Sequence, residues 1–192
     1  ETKLTECKDC PRGTRRPSAS EDGQSWDTGT NNNQVADAVG DCLVCASGKF
    51  QDQPGKDKCI LCSKGTYRAV VDGKDGVSWN GDGYNDETGN NNVADERGDC
   101  LVCASGRYND AFGQTDCIDC PLGTYRTTHT DDNDPWDGNG SDNGTQSGYS
   151  DTLGNKIDAD STTDCDVCEN GKYADETKLT ECKDCPRGTR RP

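Results

Sequence analysis

Fourteen cysteines, all of them in Cys-x-x-Cys pairs, are the residues of this chain best suited to chemistry. The clearest copy is a doublet that reads CLVCASGKF from Cys42 and CILCSKGTYR from Cys59. Thiols at this spacing can form disulfides, bind zinc as four thiolates, or act as a redox centre. A redox centre is disfavoured because no strand–helix–strand pattern surrounds any of the pairs.

The pairs alternate between two kinds of half-module, each a Cys-x-x-Cys pair with the glycine and strand that follow it. The first kind reads C-[LD]-V-C-x-x-G-[KR]-[FY], and the second reads C-x-x-C-[PS]-x-G-T-[YR]-R. In all three doublets the two leading cysteines lie 17 residues apart, whereas the connections between doublets vary in length. The doublet is therefore the rigid unit. Short strands are predicted from each glycine through the aromatic residue, as in 65–68 and 106–108.

Four cysteines in a doublet allow three pairings. Pairing inside a Cys-x-x-Cys closes a small strained ring, and the constant spacing favours joining first to third and second to fourth. The predicted bridges are Cys42–Cys59, Cys45–Cys62, Cys100–Cys117, Cys103–Cys120, Cys165–Cys182 and Cys168–Cys185. The remaining pair, Cys7 and Cys10, is then predicted to bond outside the chain. Zinc is the alternative, because the spacing is close to that of a zinc ribbon; the acidic, sequon-bearing context favours disulfides.

The composition suits a cross-linked chain with little apolar core. Hydrophobic residues make up only 28% of the sequence, against roughly 45–50% in an ordinary globular domain. The formal charge of −15 disfavours nucleic acid and anionic membrane surfaces as partners. No apolar run approaches the ~20 residues of a membrane-spanning helix. Dense cysteine in such a chain predicts an extracellular or cell-surface location.

Each long connection contains one tryptophan in a stretch rich in Asp, Asn, Gly, Ser and Thr. With so little apolar surface available, Trp26, Trp79 and Trp136 are predicted to be packing anchors rather than ligand-binding groups. The longest connection also holds two glycosylation sequons, at Asn139 and Asn143, and both asparagines are predicted acceptors of N-linked glycans. Neighbouring Ser and Thr clusters are candidates for O-linked glycans, with plain solvated loop as the alternative.

The same connection concentrates carboxylates. Calcium takes oxygen ligands of this kind, so the sequence offers a calcium site built from Asp131, Asp132, Asp134, Asp137 and Asp142. None of these residues fits the spacing of a calcium-binding helical loop, and solvated surface charge is the favoured alternative. No metal and no cofactor are therefore expected.

Residues 1–17 recur without change at 176–192. Repeats normally diverge in sequence, so an identical stretch of this length is more similar than ordinary repeats are. The sequence predicts a terminal half-module at 1–17 and three repeats at 18–68, 69–126 and 127–192, cut from a longer tandem array.

The succession of the two kinds of half-module resembles the ephrin-receptor-like cysteine-rich repeat. More loosely, it is similar to tumour-necrosis-factor-receptor-like cysteine-rich repeats and to protist cysteine-rich surface proteins. The resemblance covers 42–68, 100–126, 165–191 and the half at 7–16, and it implies an extracellular, elongated, disulfide-bonded chain. Arg15 and Arg190 stand where the family has Tyr, and Ser63 stands where it has Pro.

These observations predict a small disulfide-rich fold, an elongated tandem array of cysteine-rich modules with short β-strands, long loops and no single hydrophobic core. The predicted function is a structural subunit of an extracellular filament or cell-surface fibre, whose partners are further copies of itself and attached glycans. The alternative is the ligand-binding ectodomain of a surface receptor, adhesin or surface antigen. No catalytic arrangement is present, so an enzyme is not expected.

Overall fold

A computed structural model of the chain describes residues 9–16, 41–70, 94–128 and 159–189. Regular structure in these ranges includes the short 3₁₀ turns Arg97–Asp99 and Thr162–Asp164, and a series of two-residue strands. The strands are β1 (Thr14–Arg15), β2 (Leu43–Val44), β3 (Lys49–Phe50), β4 (Ile60–Leu61), β5 (Thr66–Tyr67), β6 (Leu101–Val102), β7 (Arg107–Tyr108), β8 (Ile118–Asp119), β9 (Thr124–Tyr125), β10 (Asp166–Val167), β11 (Lys172–Tyr173) and β12 (Lys183–Asp184).

A tight turn follows each cysteine pair and explains the recurring glycine. In the first kind of half-module, the amide of Lys49 donates to the carbonyl of Ala46 at 3.1 Å, across Gly48 with φ of +74°. A type II turn needs positive φ at this position, which glycine adopts without steric cost. In the second kind, the hydroxyl of Thr66 also donates to the carbonyl of Ser63, at 2.8 Å. The predicted strands are therefore confirmed after six of the seven half-module glycines, each beginning one residue later; no strand is described after Gly188.

Six antiparallel strand pairs link consecutive half-modules. Inside a doublet, β3 pairs with β4, β7 with β8 and β11 with β12. Across the connections, β1 pairs with β2, β5 with β6 and β9 with β10. One partner in every pair lies between the two cysteines of a Cys-x-x-Cys pair. Sequence reading missed these strands because two residues are too few to show an alternating pattern.

The disulfide interpretation of the cysteines is confirmed, but the predicted pairing is wrong. The observed bridges are Cys10–Cys42, Cys45–Cys59, Cys62–Cys100, Cys103–Cys117, Cys120–Cys165 and Cys168–Cys182. None of the six predicted bridges, Cys42–Cys59, Cys45–Cys62, Cys100–Cys117, Cys103–Cys120, Cys165–Cys182 and Cys168–Cys185, is formed. Cys10 bonds inside the chain, to Cys42, and not outside it; Cys7 lies outside the described residues.

The physical reason is the direction of the two sulfurs in each pair. The cysteines flank a two-residue strand, so they are three residues apart in extended chain and project from opposite faces. They cannot both reach the same neighbouring pair. The first cysteine bonds to the preceding half-module and the second bonds to the following one. The constant spacing in a doublet then reflects a single bridge with a sequence separation of 14 in each of the three doublets.

In the part of the chain that the structure describes, two small clusters of buried apolar residues take the place of a single core, as the fold class predicted. One cluster contains Cys45, Phe50, Cys62, Ala94 and Cys100. The other is the same arrangement one repeat later: Cys103, Tyr108, Cys117, Cys120, Ala159 and Cys165. Each cluster is built around half-cystines and one aromatic ring. The domain boundaries predicted from sequence stay a prediction.

Successive repeats also contact one another directly through the doublet loops, residues 51–58, 109–116 and 174–181. A Cβ placed on Gly48 would collide with the carbonyl group of Gly113, and a Cβ on Gly106 would collide with that of Lys178. Gly48 and Gly106 occupy the same position one repeat apart, as do Gly113 and Lys178. The glycine is therefore required both by its turn and by the loop of the next repeat.

Alanine substitutions at Gly171 and Gly106 should separate the requirement of the turn from the requirement of packing against the next loop. Gly171 has φ of +88° like the others, but no described atom lies within 4 Å of its Cβ position. We expect Gly171→Ala to lower the free energy of unfolding by roughly 1–2 kcal/mol, the cost of left-handed backbone. Gly106→Ala should cost roughly 1–3 kcal/mol more, because the loop at Lys178 must move. Denaturant unfolding with the disulfides intact measures both, and equal losses would contradict the packed interface.

Candidate functional site

The candidate site is the junction between half-modules, because the same set of bonds recurs at each one. The amide of the second cysteine donates to the carbonyl of the preceding half-module's glycine, as Cys45 does to Gly13 at 2.9 Å. The amide of that glycine also donates to a carbonyl in the next half-module, that of the residue directly after its strand. Gly13, for example, donates to the carbonyl of Gln51 at 2.7 Å. With the bridge and the strand pair, these bonds fix each half-module on its predecessor.

The doublet loops extend this attachment to the half-module before. The amide of Gly55 donates to the carbonyl of Cys10 at 2.8 Å, and Gly113 and Lys178 donate likewise to Cys62 and Cys120, at 2.8 and 3.1 Å. Lys64 also lies over the ring of Phe112, 5.9 Å from its centroid. Each doublet is therefore attached to the preceding half-module by a backbone hydrogen bond, which does not depend on the side chains of the loop.

Two arginines lie inside the junctions, although arginine is rarely buried. Arg68 is 0% exposed and Arg126 is 1% exposed. Their guanidinium groups donate to the carbonyls of Cys45 and Cys103, at 3.3 and 3.2 Å. This arginine ends the pattern of the second kind of half-module in an otherwise acidic chain, but the sequence carries no signal of its burial. Each guanidinium ties its own half-module to the second cysteine of the preceding one.

Buried carboxylates accompany the arginines. In the register of β5 on β6, Tyr67 lies opposite Leu101. Continued by one residue, this register places Arg68 opposite Cys100, and Asp99 is the residue before Cys100. Asp99 and Asp164 are each 1% exposed, and each also caps a 3₁₀ turn, accepting from the amides of Glu96 and Ser161 at 2.9 and 2.8 Å. Burial of a charge is costly unless hydrogen bonds or an opposite charge compensate it, and the strand register puts the Asp99 carboxylate and the Arg68 guanidinium in adjoining positions. The recurring Asp before the first cysteine is thus a structural residue.

The third repeat differs from the other two at the same positions. Val44 and Val102 are 2% and 1% exposed, but Val167 is 67% exposed. Gly48 and Gly106 are buried under a following doublet loop, whereas Gly171 is exposed. We name the surface formed by Val167, Gly171 and Tyr173 the open face. Beside it in the fold is Cys185, the free cysteine among those that the structure describes.

Solvated charges surround this end of the described chain. Lys183 donates to Asp175 at 2.7 Å and to Glu176 at 2.8 Å. The hydrogen bond from Lys183 lowers the pKa of Asp175, and the bonds to Asp175 and Glu176 raise the pKa of Lys183 above its ordinary value. Asp175 and Glu176 are exposed to solvent and Lys183 is partly exposed, so these ion pairs contribute little to stability.

Several residues singled out from the sequence lie outside the described residues. They are Cys7, the tryptophans Trp26, Trp79 and Trp136, the sequon residues Asn139 and Asn143, and the calcium candidates Asp131, Asp132, Asp134, Asp137 and Asp142. Their roles stay predictions. Within the described ranges, no group of three or more His, Cys, Asp or Glu is arranged to hold a metal ion. No helix in those ranges is long and apolar enough to cross a membrane.

Comparison with known proteins adds one family. Residues 91–132 match the family described as tyrosine-protein kinase ephrin type A/B receptor-like. The match spans the doublet of the second repeat, with the Ala94 and Asp99 segment before it, so the resemblance seen in the cysteine pattern is confirmed there. No curated protein matches the chain.

Fold, junctions and family match agree on the class of protein. Disulfides of this density persist in oxidising compartments, and the matched family is a receptor-like cysteine-rich repeat. The chain is a cysteine-rich extracellular or secreted protein built from tandem modules. The six described bridges each close a loop that stabilises the fold by about 3–4 kcal/mol on the chain-entropy model.

The buried arginine provides a test of the junction. We expect Arg126→Ala to lower the free energy of unfolding by about 3–5 kcal/mol, since the carbonyl of Cys103 loses its donor and Asp164 keeps a buried charge. The control is Arg107→Ala. Arg107 forms ion pairs with Asp116 and Asp119 at 3.0 and 2.8 Å but is partly exposed, so its loss should cost about 1 kcal/mol or less. Similar losses in denaturant unfolding would show that the buried arginine is not a junction element.

Proposed function

We propose that the protein is a structural subunit of an extracellular filament or surface fibre, built from tandem disulfide-stapled repeats. The observation that carries this proposal is the uniformity of the junctions. One bridge and one two-residue strand pair join every consecutive pair of described half-modules, whether the connection between them is short or long.

Uniform junctions suit a load-bearing role. In a quasi-one-dimensional array each unit contacts its near neighbours only, so the same contact can be repeated without limit. The bridges form a covalent ladder alongside the backbone, which holds the array together even where a connection is cut. The recurrence of residues 1–17 at 176–192 supports the same role, because an unchanged repeat is what a tandem array of identical units contains.

The composition also favours a structural role over catalysis. The described residues form backbone-to-backbone contacts between modules and bury their few apolar groups in them. The role proposed here needs neither a catalytic group nor a cofactor. Its partners are further copies of the chain, with glycans at Asn139 and Asn143 as a proposed surface coat.

The second candidate is the ligand-binding ectodomain of a surface receptor, adhesin or surface antigen. The observation that favours it is the match of residues 91–132 to a receptor-like family. In this case the long connections would form the recognition surface, and the ladder would only space them from the cell surface.

Electron micrographs of the purified chain separate the two candidates. A structural subunit should form fibres of regular width with an axial repeat, and these should shorten or disperse after reduction with dithiothreitol because the ladder is disulfide-bonded. Dispersed particles at all protein concentrations, in oxidising buffer, would contradict the filament and favour the ectodomain.

A further inference from the structure

In the second doublet a basic residue is neutralised by two carboxylates of the same doublet. Arg107 of β7 forms ion pairs with Asp116 and Asp119, at 3.0 and 2.8 Å. Asp119 lies opposite Arg107 in the pair of β7 with β8, and Asp116 is the last residue of loop 109–116. The charges at this corner are therefore compensated inside the doublet.

The third doublet has the same residue types at the same three positions. Lys172 lies opposite Asp184 in the pair of β11 with β12, and Glu181 is the last residue of its doublet loop. The pattern of both doublets is thus a basic residue opposite an acidic one, with a second acidic residue at the end of the loop.

The first doublet has lost both acidic residues. Lys49 lies opposite Leu61 in the pair of β3 with β4, and Lys58 is the last residue of its loop. The scaffold is the same, since one bridge with a sequence separation of 14 closes each doublet. Where the second doublet places the carboxylate of Asp116 beside a basic side chain, the first doublet places a second amine.

The carboxylates that the first doublet keeps do not compensate these lysines. They belong to Asp52 and Asp57, and neither forms an ion pair with Lys49 or Lys58 in the described part of the chain. Like charges on neighbouring strands repel each other. An anionic group from outside the doublet would relieve this repulsion. We name the surface formed by Lys49, Lys56 and Lys58 the lysine face.

The lysine face is accessible because of its place in the doublet loop. Residues 56–58 are exposed, and so are the equivalent residues 114–116 of the second repeat, which lies between the other two. Packing of a repeat on either side therefore leaves this part of the loop open. A partner can reach the lysine face within an array as well as in a single chain.

The chain itself contains a surface of the opposite charge. The doublet 103–120 has three aspartates and one arginine, whereas the doublet 45–62 has three lysines and two aspartates. The three aspartates, Asp110, Asp116 and Asp119, form what we name the acidic face. Asp110 is exposed, and the side chain of Asp116 is 71% exposed although it is paired with arginine. A carboxylate has lone pairs for more than one donor, so the acidic face can accept further cations.

We propose that the lysine face of one copy of the chain binds the acidic face of a second copy through salt bridges. The two faces belong to successive repeats, so parallel neighbours that form this contact are displaced by one repeat. The inference rests on the proposed function and deepens it, because it names the lateral contact between copies. At physiological ionic strength the Debye length is about 8 Å, so the charges of the two faces outweigh the distant charges of a chain with a net charge of −15.

Reversal of the two faces in separate full-length chains tests the contact. One variant carries Lys49→Glu and Lys58→Glu, and the other carries Asp110→Lys and Asp116→Lys. Each variant alone opposes like charges, so its self-association, measured by sedimentation at about 150 mM salt, should be about tenfold or more weaker than that of the natural chain. An equimolar mixture should regain the association, because each reversed face then meets its complement. A mixture as weak as the separate variants would overturn the proposal.

A single substitution with a matched control tests the lysine face alone. Lys58→Asp gives Lys49 an acidic partner at the end of the loop, as in the second doublet, and should weaken self-association by about fivefold or more. Lys178→Asp makes the same change of charge at an exposed lysine of the third doublet loop and should leave self-association unchanged. Equal effects of the two substitutions would show that only net charge matters and would contradict the lysine face.

An acidic polysaccharide is the other source of carboxylates. If the natural chain does not self-associate but binds polygalacturonate, and the Lys49→Glu, Lys58→Glu variant does not, the site takes a glycan and the proposal is wrong.

Fibre width separates this inference from the proposed function. The Lys49→Glu, Lys58→Glu variant should form thinner fibres than the natural chain. Fibres of unchanged width would refute the lateral contact and leave the proposed function standing. Absence of fibres from the natural chain would contradict the proposed function, whereas the mixing experiment would still decide whether the two faces bind.

Discussion

The structure depends on one geometric constraint: the two cysteines of each pair flank a two-residue strand. Their sulfurs then project to opposite faces, and each pair must bond backward with one cysteine and forward with the other. Every other repeated feature is compatible with this. The glycine turn returns the chain after each pair, and the strand that follows it receives the next pair at a register fixed by the bridge.

The constraint explains how a chain with 28% hydrophobic residues keeps a fold. The two clusters found among the described residues bury little: half-cystines, one fully buried ring, and a small residue, Ala94 or Ala159. Backbone hydrogen bonds, which do not depend on composition, supply the directionality. The buried Arg68 and Asp99 are hydrogen-bonded to backbone in this small core: Arg68 donates to the carbonyl of Cys45, and Asp99 accepts from the amide of Glu96. The polar connections are therefore free to vary in length without affecting the junctions.

Much of this could be predicted from the sequence. The compartment, the modular fold and the strands after each glycine follow from composition, from the spacing of the pairs, and from the residues that turns require. The disulfide pairing could not be obtained from the sequence spacing. A constant separation of Cys42 and Cys59 is expected both for the predicted bridge Cys42–Cys59 and for the observed bridge Cys45–Cys59. The strand within Cys42–Cys45 was the missing signal, and two residues show no period. Burial of Arg126 and exposure of Val167 depend on what packs over them, which the local sequence does not encode.

The most direct test of the ladder is its covalent connectivity. Trypsin sites lie between every two successive cysteine pairs, so digestion without reduction, at a pH that blocks exchange, leaves peptides joined only by disulfides. Mass spectrometry should find the peptide of Cys59 and Cys62 attached to two others, one containing Cys45 and one containing Cys100. If it is attached only to the peptide of Cys42 and Cys45, by two bridges, each doublet is closed on itself and the ladder is wrong.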